Sequence, residues 1–114
     1  MPQTLWRLLA WAASLGLVAA CLLPSSSVPG PELPGADKAF HLLSFAAVTF
    51  LWRLSGASVR RVALIGALLA VGTELGQSLL PLGRQGSWLD LLADALGILA
   101  GLAIPLKRKP RDDA

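Results

Sequence analysis

Four apolar runs separated by short links organise this chain: Leu5 to Leu23, Phe40 to Leu54, Val62 to Leu80 and Trp88 to Leu106. A membrane-spanning helix needs roughly 20 residues, within a range of about 17–25. The first, third and fourth runs meet that length. The second does so once its polar first turn is counted and Arg53 snorkels to the interface. The pattern therefore predicts an all-α, four-helix transmembrane bundle with spans near 5–23, 38–54, 62–80 and 88–106, followed by a basic tail at 107–114.

Within the runs, polar residues fall on stripes. At 100° per residue, Asp90, Asp94, Gly97 and Gly101 share a face about 60° wide. The opposite face carries Leu91, Leu92, Ala95, Leu96, Ile98, Leu99 and Leu102 and suits lipid. Acids are costly in a membrane helix, so Asp90 and Asp94 are expected to look toward other helices. On the third run Ala67, Ala70, Glu74 and Gln77 form one stripe, while Gly72 and Gly76 point elsewhere as a second close-packing face. Gly72-xxx-Gly76 and Gly97-xxx-Gly101 both fit small-residue helix contacts. On the second run Asp37, His41, Ser44 and Val48 share a face. Asp37 follows Pro34-Gly35-Ala36 as a plausible N-cap, and Ser87-Trp88-Leu89-Asp90 matches a capping box.

Composition sharpens the membrane reading. The 114 residues allow one domain, 1–114, and 54% hydrophobic content exceeds what a soluble domain of this size buries. The net charge of +3 does not form a nucleic-acid patch, because the basic residues flank the apolar runs. Arg7, Arg53, Arg60, Arg61, Lys107, Arg108, Lys109 and Arg111 lie on one side, with only Lys38 and Arg84 on the other. This bias predicts cytoplasmic N and C termini, with links 24–38 and 81–87 outside. The single cysteine excludes an intrachain disulfide and offers no metal motif. Val18-Ala19-Ala20-Cys21 resembles a lipobox. With one basic residue before it and three further spans after it, the expectation is a retained first helix with a buried Cys21. Trp6, Trp11, Trp52 and Trp88 read as interface anchors and packing residues.

The chemistry-bearing side chains gather at one depth. Glu74 lies about 9 Å below the outer end of its span, and Asp94 is about equally deep below Trp88. His41 is one turn into the second span. The candidate catalytic residues are His41, Glu74 and Asp90, with His41 as a base polarised by Asp37 or Glu74. Asp37, Lys38, Gln77, Arg84 and Asp94 are candidate ligand-binding residues. Arg84 serves either as a counter-ion to Glu74, Asp90 or Asp94 or as a phosphate contact. No metal site is assigned, although acids outnumber bases on this side, and His41, Glu74 and Asp90 could hold a divalent cation. No nucleophile motif accompanies them.

Taken in order, Asp37-Lys38-xx-His41, Glu74-xx-Gln77, Pro81-xx-Arg84-xx-Ser87-xx-Asp90 and Leu96-Gly97 resemble the VanZ-like family from about Asp37 to Gly101. The family commonly has Asn where this chain has Asp94. The resemblance implies a small multi-pass protein of the bacterial cytoplasmic membrane. Its founding member is associated with resistance to the glycopeptide teicoplanin. The implied partner is a membrane lipid or lipid-linked envelope component, with no nucleic acid; no cofactor or oligomeric state is specified. Two other readings stand beside this one: a small ion- or proton-coupled transporter, and a structural bundle knitted by ion pairs.

Overall fold

The computed structural model describes residues 2–23, 36–81 and 88–106. Within them the chain forms four helices and no strand: α1 (Gln3–Cys21), α2 (Ala36–Leu54), α3 (Val59–Leu79) and α4 (Trp88–Ala103). Each of the four expected helices is present. α3 begins before Val62 because Ser58 caps it, its hydroxyl accepting from the Arg61 amide at 3.2 Å. α4 stops at Ala103, short of the expected Leu106. There the Arg53 guanidinium donates to the carbonyls of Gly101 (2.8 Å) and Ile104 (2.5 Å). A cation bonded to terminal carbonyls closes a helix electrostatically as well as by hydrogen bonding.

The turn between α2 and α3 is built by Gly56. It has a φ of 93°, which side chains resist. Its amide bonds to the Arg53 carbonyl at 3.0 Å and the Ala57 amide to the Trp52 carbonyl at 3.4 Å. This is the Schellman arrangement that satisfies the last carbonyls of a helix.

Topology follows from the contacts. α1 and α2 are antiparallel and joined by the indole of Trp52, whose Nε1–H donates to Ser14 Oγ at 2.9 Å. Trp11 meets the same indole edge-on at a centroid distance of 5.3 Å. α1 and α3 are parallel and meet at their C-terminal ends, where Gln77 Nε2 donates to the Cys21 carbonyl at 2.8 Å. α2 and α4 are parallel and form the closest pair. α1 and α4 lie on opposite sides of the α2–α3 pair and, among the described residues, do not touch. Ala10, Leu17, Cys21, Phe45, Val48, Trp52, Val62 and Ala70 form the apolar core.

Glycine placement explains the tight α2–α4 seam. A Cβ on Gly97 would run into the Leu42 carbonyl and lie 3.0 Å from Phe45 Cβ; one on Gly101 would lie 2.8 Å from the Ala46 carbonyl. These are backbone contacts between helices, as the stripe predicts. The Gly72-xxx-Gly76 pattern does not make such a contact. Gly72 faces open space, and Gly76 receives only the side chain of Leu22. The outward face of α4 is also narrower than expected. Leu92, Leu96 and Leu99 are exposed, whereas Ile98 packs into the hollow left by Gly66 of α3. α4 has two neighbours rather than one, which turns that edge inward.

The distribution of polarity is inverted relative to a water-soluble protein. Leu15, Leu43, Leu64, Leu68, Leu79 and Leu99 point outward, while Ser14, His41, Thr49, Ser55, Thr73, Gln77, Asp90 and Asp94 are buried. The buried hydroxyls of Ser14 and Thr73 donate back to the carbonyls of Ala10 and Leu69 four residues earlier, at 2.8 and 2.7 Å. This is how hydroxyls are satisfied inside a helix without water. α1 and α3 are long and apolar enough to cross a membrane. α2 carries Asp37, Lys38 and Arg53, and α4 has 16 residues, so neither qualifies on length and composition alone.

Candidate functional site

Two pairs of residues, each four apart on its helix, face one another across the α2–α4 seam. Residues four apart stack on one helix face. Asp37 and His41 therefore share a face of α2, and Asp90 and Asp94 share one of α4. Because the two helices run parallel in matching register, the pairs meet level by level.

His41 Nδ1 lies 2.6 Å from Asp94 Oδ1, with both side chains almost completely buried. With Asp94 ionised, a carboxylate only accepts, and Nδ1 then carries the hydrogen and donates it to Asp94. Nε2 then presents its lone pair toward the end of the bundle. It lies 3.9 Å from Asp37 Oδ2 and 4.0 Å from Asp90 Oδ2, beyond hydrogen-bond reach. Lys38 Nζ donates to Asp90 Oδ1 at 2.7 Å from a half-exposed position. The second oxygen of Asp94 is buried and has no hydrogen-bond partner among the described residues. The ring of Phe40 meets that of His41 edge-on at 6.0 Å.

The remaining sequence-derived residues are placed as follows. Glu74, half-buried on α3, is close enough for its charge to act on Lys38 together with those of Asp90 and Asp37. The carboxylate hydrogen-bonded to His41 is that of Asp94. Gln77 is buried, and its amide serves the C-terminus of α1 rather than the His41 cluster. Arg84 and Ser87 lie outside the described residues, so the expected Arg84 closure and Ser87 capping box do too. The donor atoms of Asp37, His41 and Asp90 lie within 4.8 Å of one another. Asp37 thus stands where the sequence suggested Glu74.

Asp94 is the residue whose role the sequence reading undervalued. The signal was available in the paired spacings 37/41 and 90/94. Two helices separated by a single antiparallel one must run the same way, which lets those spacings coincide.

The centre can do two things chemically. An imidazole oriented at Nδ1 by a carboxylate and open at Nε2 can accept a proton, or it can ligate a cation. Among the described residues, Asp37, Asp90, Asp94 and Glu74 outnumber Lys38, so the neighbourhood attracts positive charge.

These features define an all-α protein with two helices able to cross a membrane and a buried His–carboxylate centre at one end of the bundle. A family model described as VanZ/LLP1 matches residues 3–106, which takes in all four helices. The chain belongs to this family, whose members are membrane-associated. No curated protein and no solved structure matches it.

Proposed function

We propose that the chain is a multi-pass protein of the bacterial cytoplasmic membrane, acting at the cell envelope. In this reading all four helices cross, both termini are cytoplasmic, and the His41 centre opens on the outer face. There it engages the polar headgroup of a membrane lipid or lipid-linked envelope component. The observation that carries this is the state of the imidazole: His41 Nδ1 is anchored on Asp94 while Nε2 is left facing Asp37 and Asp90. A histidine that only knits helices has no reason to be fixed at one nitrogen and left beyond hydrogen-bond reach at the other.

The outward-facing leucines and inward-facing polar groups support lipid as the surrounding solvent. α4 reaches about 24 Å at 1.5 Å per residue, a short span that local thinning of the bilayer accommodates. The Lys/Arg bias supports the orientation. A carrier would want its acidic group accessible from both sides; Asp37 and Asp90 lie in the first turns of α2 and α4, with His41 one turn further in, which favours a one-sided site.

Glycopeptide susceptibility is the phenotype to measure. Expression in a susceptible bacterium should change the inhibitory concentration of teicoplanin. His41→Ala and Asp94→Ala should abolish that change while the protein still accumulates in the membrane. Full phenotype in both variants would overturn the reading.

A further inference from the structure

We propose that Asp37, His41 and Asp90, brought together where the parallel helices α2 and α4 begin, form a site for one first-row divalent metal ion, Zn2+ or Mn2+. The inference rests on the reading of this centre as the working site and names what it holds. Three donor atoms, His41 Nε2 and one oxygen from each aspartate, already lie within 4.8 Å of one another. Bonds of about 2.0–2.2 Å place ligand atoms roughly 3–3.5 Å apart, so Nε2 and the oxygens at 3.9 and 4.0 Å need to close by about half an ångström. Asp37, 57% exposed at its side chain, can supply that movement by a rotamer change.

A second observation points the same way. His41 is 1% exposed, and its Nε2 is aimed between the two carboxylates at distances too long for hydrogen bonds. Behind it stands Asp94, bonded to Nδ1 at 2.6 Å. A carboxylate behind a histidine fixes the tautomer and raises the basicity of the nitrogen that faces a metal. Without Asp94 the imidazole could turn.

Charge and donor type select the ion. Among the described residues, Asp37, Asp90, Asp94 and Glu74 face Lys38 alone, and a divalent ion offsets part of that negative excess. Lys38 bonds to Oδ1 of Asp90, and Oδ2 is the oxygen on the side of His41 Nε2. One imidazole with two carboxylates suits Zn2+ or Mn2+ better than Mg2+ or Ca2+, which prefer oxygen throughout. Three protein ligands also leave coordination positions open. An anionic headgroup oxygen could bind there, whereas the bare carboxylates would repel it.

The test uses the full chain purified in detergent, stripped with a chelator and titrated with Zn2+ and, separately, Mn2+. Metal content and calorimetry should give one ion per chain for at least one of the two. His41→Ala should remove binding, and Asp94→Asn should weaken it 10–100-fold. Asp37→Asn guards against misfolding, because Asp37 is not the expected N-cap but an exposed first-turn residue of α2, and Asn keeps its shape there. It should cut affinity at least tenfold while leaving the metal-free melting temperature unchanged. No stoichiometric binding of either ion, or equal binding by Asp37→Asn, His41→Ala and the parent chain, would overturn the site. If the parent chain binds no metal but His41→Ala still abolishes the teicoplanin phenotype, the metal falls and the functional reading stands. If metal binds as expected and the variants keep the phenotype, the metal stands and the functional reading falls.

Discussion

Gly97 lies directly against the carbonyl of Leu42, and this contact sets the register that brings His41 to Asp94. Leu42 follows His41 in sequence, and Gly97 sits one turn after Asp94. The closest backbone approach of α2 and α4 is thus adjacent to the centre. A glycine here is a requirement of the site as well as of the packing.

Gly97→Ala should therefore cost more than an ordinary helix substitution, despite the better helix propensity of alanine. Overpacking against a backbone that cannot yield costs about 1–3 kcal/mol, and Gly97→Leu should exceed that. Thermal unfolding in detergent is the measurement, with Gly72→Ala and Leu99→Ala as controls. Gly72 meets nothing within 4 Å, and Leu99 is 61% exposed. Equal losses at all these positions would mean that the seam is not where α2 and α4 press together.

Much of this arrangement was legible because helical periodicity and helix-packing rules act locally. The stripe of Asp90, Asp94, Gly97 and Gly101 names its own inward face, and all four residues are buried. What periodicity could not supply was the partner across each gap. Glu74 looked like the natural neighbour of His41 because both sit on polar stripes at one depth. Which stripes meet depends on how each helix rotates about its axis, and that is decided by distributed packing such as Ile98 in the hollow of Gly66. Gln77 shows the same limit. Its polarity marks it as a site residue, but its amide bonds to the Cys21 carbonyl at the end of α1. For Arg53, polarity marks a cation near a helix end but not the α4 carbonyls of Gly101 and Ile104 that it bonds.

Gln77→Leu should destabilise the bundle by about 1–3 kcal/mol, since it removes the buried hydrogen bond to the Cys21 carbonyl. The neighbouring Ser78 is exposed, and Ser78→Ala should be close to neutral. Melting temperatures of the two variants decide the matter. A neutral Gln77→Leu would show that the Cys21 carbonyl finds another donor.

Arg53→Met should loosen the last turn of α4, where the guanidinium bonds to Gly101 and Ile104. Such terminal cation contacts are worth about 0.3–1 kcal/mol, rising to about 2 where partly buried. Hydrogen exchange at the amides near Gly101 should accelerate in Arg53→Met. Arg53→Lys should fall between, keeping the charge but not the planar fork. Unchanged exchange in Arg53→Met would remove this account of why α4 ends at Ala103.

The proposed orientation predicts which face each link occupies. After replacement of Cys21, a cysteine at Ser26 should react with an impermeant thiol reagent on intact cells, and one at Ser58 should not. Labelling at Ser58 from outside would reverse the bundle and move the His41 centre to the cytoplasmic face.

Lys38 and Asp90 offer the sharpest separation of structure from function. Their contact is 2.7 Å, with Asp90 nearly buried and Lys38 44% exposed. Breaking a fully buried pair by removing one partner costs about 3–5 kcal/mol. Solvent at Lys38 screens the interaction, so Lys38→Met alone should cost only about 1 kcal/mol. Asp90→Leu alone removes the buried acid but leaves the lysine free to reach water. The double variant removes both charges, and an apolar pair of similar size in place of an ion pair is often neutral or stabilising. A double-mutant cycle on melting temperature should therefore show the double variant at least as stable as Lys38→Met. If the cluster exists only to knit helices, that double variant should also keep the teicoplanin phenotype. If Asp90 belongs to a working site, stability returns and the phenotype does not. Recovery of both together would reduce the centre to an ion-pair latch between α2 and α4.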